Sequence, residues 1–298
     1  MAWWERLLCT TARGMEGKYF LLASLPPLRS KLAADILHSM RTETYDDIDA
    51  IRKEFHGLVQ IWSTDNPYLL EAQERLRAKQ GYDDYRVETS IVYNRALDDI
   101  SPDDEIKVIL VADNPGKKEQ LAVNNRYLVG QSGKLAEGWF RRELGIDFRR
   151  EVLILNKTPV HTPKTAELDI LAKSSGLHRH RLEALLAGSQ AAMADLAWRL
   201  YVALCGTGSS GTLSKGPVLW ISGVGELRKG GLFEIYRDEL FRRLARSSPE
   251  ERRGVWAFNH FSMNQFAIEI KRKAKLGTPI AEELARIGPE NRVRVFGL

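Results

Sequence analysis

The run Val108-Ile109-Leu110-Val111 constrains this chain most, because four apolar residues with no polar alternation describe a strand buried on both faces. Such a strand needs helices above and below it, which is the situation of a parallel sheet. Asp113, Asn114, Pro115 and Gly116 follow at once, and the Pro-Gly pair marks the strand's end and a turn. A carboxylate and a carboxamide therefore stand side by side at the carboxyl end of a parallel strand, where open α/β sheets hold their ligands. The plainer role for the same two residues is to cap a turn or a helix.

Further along, Val152-Leu153-Ile154-Leu155 repeats the pattern and delivers Asn156, with Pro159 and Pro163 marking an irregular loop behind it. Leu200 to Leu204, running into Gly206, Gly208 and Gly211, reads as a third strand, and Leu219-Trp220-Ile221 as a short additional one. Val255-Trp256-Ala257-Phe258 delivers Asn259, His260, Phe261 and Ser262. Between these runs come helical stretches. Leu135, Trp139, Phe140 and Leu144 are ended by Gly145, residues 177–199 bury Leu182, Leu185, Leu186, Met193 and Leu196, and Phe233 to Leu244 follows. The tail from Phe266 to Lys275 reads as a basic helix.

Strand alternating with helix through residues 105–275 predicts an α/β, three-layer α/β/α domain with a central, four-stranded, mainly parallel sheet. The strands are expected at 107–112, 151–156, 200–205 and 254–259. Upstream, Leu28, Leu32, Ile36, Leu37 and Met40 recur at helical spacing, as do Ile48, Ile51, Phe55, Leu58, Val59 and Trp62. Pro67 opens a further helix through Leu70, Ala72 and Leu76. Residues 1–100 are thus expected as a helical N-terminal extension packed on a core domain of residues 101–298.

Because parallel strands end on one edge, Asp113/Asn114, Asn156 and His260 are expected to converge. Each alone has a bland explanation, since an Asn or His at a strand end commonly caps a helix or satisfies a buried carbonyl. With 44 Lys+Arg against 39 Asp+Glu the chain carries +5, a mild bias toward an anionic partner. The two cysteines, Cys9 and Cys205, are too few for a four-cysteine zinc or iron–sulfur site. MAWWERLL carries Glu5 and Arg6, so it is no signal-peptide core, and the apolar run Tyr19–Leu28 is too short to span a bilayer. The expected setting is cytoplasmic, with no membrane partner and a monomeric state.

At these motifs the sequence resembles the uracil-DNA glycosylase superfamily. The segments ADNPG (112–116), LILN (153–156) and HFS (260–262) stand in that family's order, and RYLVGQSGKL (126–135) is similar to the Val-Gly-x-x-Gly segment of its iron–sulfur branch. The likeness covers roughly residues 105–275. It departs from that branch in lacking the cluster cysteines, so no iron–sulfur cluster and no other cofactor is expected. Asp113 fills the acidic slot of one branch and Asn114 the Asn slot of others. The family's stacking aromatic falls at Leu128, beside Tyr127, and its His-motif proline is Phe261. Gly116 stands where strict uracil enzymes place a thymine-excluding tyrosine.

The resemblance implies hydrolysis of the N-glycosidic bond of uracil, or a related deaminated or mismatched base, after it is flipped out of DNA. It also implies a nucleoid association through DNA. Asp113 would stabilise the cationic sugar and orient water, with Asn114 holding that water, while His260 would donate to the uracil oxygen on which charge develops. Asn156, offering a donor and an acceptor together, would pair with the base edge, near Tyr127, Leu128 and Gly116. Gly130, Gly133 and the backbone near Gly206 would approach phosphates, as would Ser262. Met263 would wedge into the stack, and Lys271, Arg272 and Lys273 would add basic contacts. Two alternatives stay open: a nucleic-acid-binding protein of the same fold without the chemistry, and a nucleoside-hydrolase-like enzyme acting on a small molecule.

Overall fold

The computed structural model describes residues 27–205 and 217–298, with side chains from residue 44 onward. Four strands, β1 (Val108–Ala112), β2 (Val152–Asn156), β3 (Val218–Ser222) and β4 (Val255–Phe258), are buried along their whole length. All pair in parallel, in the order β2-β1-β3-β4, with Ala112 opposite Asn156, Leu110 opposite Trp220, and Ser222 opposite Phe258. The helices around them complete a three-layer α/β/α fold.

The third strand differs from the sequence reading. Leu200–Leu204 continues a helix, α5 (Arg179–Cys205), and β3 is the run around Trp220. The physical reason is periodicity. Met193, Ala197, Leu200, Tyr201 and Cys205 are buried while Val202, Ala203 and Leu204 are only half-buried, a helical stripe that five apolar residues viewed alone cannot disclose. Gly206, Gly208 and Gly211, together with Cys9 and all but the last two residues of the run Tyr19–Leu28, lie outside the described residues.

One face of the sheet is covered by α5, which is flanked by α1 (Pro27–Asp65), α4 (Glu167–Ser174) and α6 (Glu234–Arg246). Ile48, Ile51, Phe55 and Val59 of α1 share one hydrophobic cluster with the strands, so this helix is an integral part of the core. The predicted stripe Leu28–Met40 also falls on α1, at residues whose side chains are not described. Helix α2 (Leu69–Lys79) turns Leu69, Ala72, Gln73 and Leu76 inward and leaves Leu70 exposed. On the other face, α3 (Gln131–Trp139) runs on through a π-helical turn, Phe140–Leu144, to a left-handed Gly145.

Trp139 and Phe140 there join Trp220, Phe258, Phe261 and Phe266 in an aromatic cluster with ring centroids 4.3–6.3 Å apart. After the short α7 (Pro249–Arg253), whose Ser248 and Glu251 form a capping box, β4 leads into α8 (Gln265–Lys273). A last helix, α9 (Ile280–Phe296), lies along β4 and has no counterpart in the sequence reading. Gly288 is a contact point, since a Cβ there would sit 2.7 Å from Trp256 Cβ. Among the described residues no helix is long and apolar enough to cross a membrane.

Candidate active site

The register of the sheet builds the site. Ala112 pairs with Asn156, so the next residues along, Asp113 and Lys157, leave the two strands side by side. Lys157 is fully buried and donates to Asp113 Oδ1 and to the Ser222 carbonyl, each at 2.5 Å, with its ammonium 4.9 Å above the Phe233 ring. The ends of β1, β2 and β3 are thereby tied by one amine. Burial pushes the Lys157 pKa down, and the Asp113 carboxylate opposes that shift. Thr165 reaches Asp113 Oδ2 at 3.4 Å. Gly223, at φ 77°, closes the fourth side: a Cβ there would overlap Asp113 Oδ1.

His260 enters from the end of β4. Its Nδ1 accepts from the Ser262 backbone N–H at 3.0 Å and lies 2.7 Å from the Ser262 hydroxyl. That fixes the neutral tautomer with the proton on Nε2, which donates to none of the described residues. Burial lowers the His260 pKa, Asp113 raises it and Lys157 lowers it, so the three groups share one electrostatic neighbourhood. Asn156 is only 2% exposed, and its carboxamide is hydrogen-bonded to none of the described residues. Asp113, Asn156 and His260 thus stand on the same edge of an all-parallel sheet.

Other predicted residues are committed to the scaffold. Asn114 Nδ2 donates to Thr162 Oγ1 at 2.9 Å and lies 3.3–3.4 Å from the carbonyls of Thr162, Val160 and Pro115, stitching the β1 loop to the β2 loop. Only its carbonyl oxygen remains for a ligand. Tyr127 is buried, donating its hydroxyl to Val92 O at 2.6 Å, so it lies in the core rather than against a base. Leu128 is also buried, in a left-handed conformation (φ 52°), with its carbonyl accepting from Arg149. Gly133 is required by that carbonyl, which a Cβ would overlap, so its smallness serves packing rather than phosphate.

Gly130 and Gly116 meet a carboxylate of the chain itself. Glu119 is buried and accepts from the backbone amides of Gly116, Leu128 and Gly130, filling the nest that an external phosphate would need. Burial pushes its pKa up, against the pull of those amides. The Ser262 hydroxyl is engaged with His260. Met263 is 83% exposed and, with Asn264, adopts a left-handed backbone (φ 50° and 58°) beside His260. Lys271 and Arg272 are exposed near the end of α8, whereas Lys273 is bonded to Glu269 and Asn291.

Sequence reasoning missed Lys157, Gly223, Glu119 and His161. Lys157 was legible from register, because aligning the two strand ends places it opposite Asp113. His161 is fully buried, with Nδ1 2.9 Å from the Pro115 carbonyl and Nε2 unpartnered, and burial lowers its pKa to about 4. Among known proteins, no family model, no curated sequence and no solved structure matches this chain.

Proposed function

We propose that this chain is a monofunctional DNA glycosylase that hydrolyses the N-glycosidic bond of uracil, or a related deaminated or mismatched base, flipped out of DNA. The observation that carries the reading is the Asn156 carboxamide, hydrogen-bonded to none of the described residues, on the same sheet edge as a carboxylate and an oriented imidazole. Its amide atoms are not among the enclosed, unpartnered polar atoms of the described residues, so they reach solvent, where a base can pair with them in place of water. The O4/N3–H edge of uracil supplies one acceptor and one donor, which is what a carboxamide complements.

In the reaction water adds its oxygen to C1′, the bond from C1′ to the base nitrogen breaks with its electron pair on the base, and the water's proton ends on that base. Asp113, held in place by Lys157, faces the positive charge that develops on the sugar and orients the water. His260, kept neutral by burial, donates from Nε2 to the oxygen where negative charge develops. Oligonucleotides carrying uracil, hypoxanthine, xanthine or mismatched thymine test this directly through release of the base. Asp113→Asn and His260→Ala are expected to slow release by roughly 100- to 1000-fold with DNA affinity near wild type.

The Lys157–Asp113 pair favours a second reading, a binding protein of the same fold without the chemistry, because the amine already holds Asp113 Oδ1. No release from any of the four lesions, with salt-sensitive DNA binding retained, would decide for it.

A further inference from the structure

The phosphate contacts expected from sequence are largely engaged elsewhere: Glu119 fills the Gly116–Gly130 nest and His260 holds the Ser262 hydroxyl. On the other side of the β3 and β4 ends lies a cleft of about 460 Å³ lined by Gly225, Arg228, Lys229, Arg237, Asn259 and Arg294, among others. Arg237 is fixed by the Leu227 carbonyl and by Glu234 and Asp238. Arg228, Lys229 and Arg294 are exposed and have no carboxylate partner among the described residues. Arg199, Arg243 and Arg286, by contrast, each sit in an ion pair.

The geometry points to this cleft as a binding site for the phosphodiester backbone of a DNA strand. Three cations lining one open cleft can meet the phosphates of a strand, and the arginine forks suit phosphate oxygens better than a single point charge does. Val224, Leu227 and Val295 add apolar ground to the cleft on which a sugar can rest. The cleft is continuous with the candidate site through two loops. Gly223 touches Asp113 and leads through one 3-10 turn, Val224–Leu227, to Arg228, which lies within roughly 15 Å of it. Asn259 lines the cleft and His260 follows it. A strand that delivers a base to Asn156 would therefore carry its flanking phosphates past Arg228, Lys229 and Arg294. That the polyanion is DNA rests on the proposed function, whereas the demand for phosphate rests on the cleft alone.

The test measures affinity for a lesion-free single-stranded oligonucleotide by fluorescence anisotropy across a salt series. In Arg228→Ala/Lys229→Ala/Arg294→Ala the slope of log K against log salt should fall by about 2, since each phosphate contact on a single strand contributes about 0.7. A control of equal charge, Lys53→Ala/Arg75→Ala/Lys79→Ala on the first two helices, should leave it unchanged. An unaltered slope in the cleft variant, or an equal fall in the control, overturns the proposal. So does wild-type binding of inorganic phosphate or a mononucleotide that an excess of oligonucleotide does not displace, which would assign the cleft to a small phosphorylated ligand. A fall in slope in a protein that releases no base would sink the glycosylase reading and leave the cleft standing. Base release with an unaltered slope would do the reverse.

Discussion

Replacing Lys157 by Met should unfold this protein more readily than any comparable loss of a surface charge. The ammonium lies 2.5 Å from Asp113 Oδ1 and is fully buried, while the carboxylate side chain is 11% exposed. At an effective dielectric of about 20 their attraction is roughly 7 kcal/mol. Burying each ion costs several kcal/mol, so the intact pair comes out near zero against an apolar pair. Removing one partner leaves the other's burial cost unmatched, about 3–5 kcal/mol. Lys173 and Asp169 provide the contrast. They are as close, 2.6 Å, but 62% and 48% exposed, and Lys173→Met should cost only about 0.3–0.5 kcal/mol. Urea unfolding followed by tryptophan fluorescence measures all of these. The double variant Lys157→Met/Asp113→Leu should recover most of the stability lost by Lys157→Met. A single-variant loss below about 1 kcal/mol, or a double variant less stable than Lys157→Met, would refute the pair as an energetic unit.

The His161 imidazole should make the fold acid-labile. Its unfolded pKa of 6.5 exceeds the folded value of about 4, so stability is intact above pH 6.5 and falls by about 3 kcal/mol as pH drops to 4. His161→Gln, which keeps a donor for the Pro115 carbonyl, should remove that part of the loss in urea melts at pH 7 and pH 4.5. Gly223→Ala should abolish base release and destabilise the fold, from a Cβ at positive φ that collides with Asp113, and unchanged activity would show that the loop is free to move. Asn156→Asp, which cannot donate through its carboxylate, should alter preference among the lesion bases, and equal loss of duplex affinity would point to misfolding instead. Asn114→Ala should lower stability as well as rate, because its amide ties two loops together.

The buried-strand runs were legible because β1, β2 and β4 are apolar on both faces and bounded by turn residues, and the edge that gathers Asp113, Asn156 and His260 follows from parallel pairing alone. The third strand was not. Leu200–Cys205 and Val218–Ser222 are both short apolar runs, and only their continuation, helical in one case and isolated in the other, tells them apart. In the site, residue type announced the polar atoms but not their partners. Tyr127 was expected near the base edge but donates its hydroxyl to Val92, and Gly130 was expected near a phosphate but meets Glu119 instead. Lys157 meets Asp113 only across two paired strands, and Glu119 meets Leu128 and Gly130 only once their loop has folded back on it, so residue type alone does not announce either contact.

Glu119 has a consequence for binding rates as well as for structure. A loop whose amides wait for an external anion stays floppy until one arrives, and ordering it then lowers the affinity. Here the anion is covalently part of the loop, so the chain from Gly116 to Gly130 has already met its entropic cost during folding. That loop should therefore be ordered before a ligand arrives, and association should follow one-step kinetics, without a slow tightening phase. A Glu119→Gln variant, less able to neutralise three converging dipoles, would bring that slow phase back.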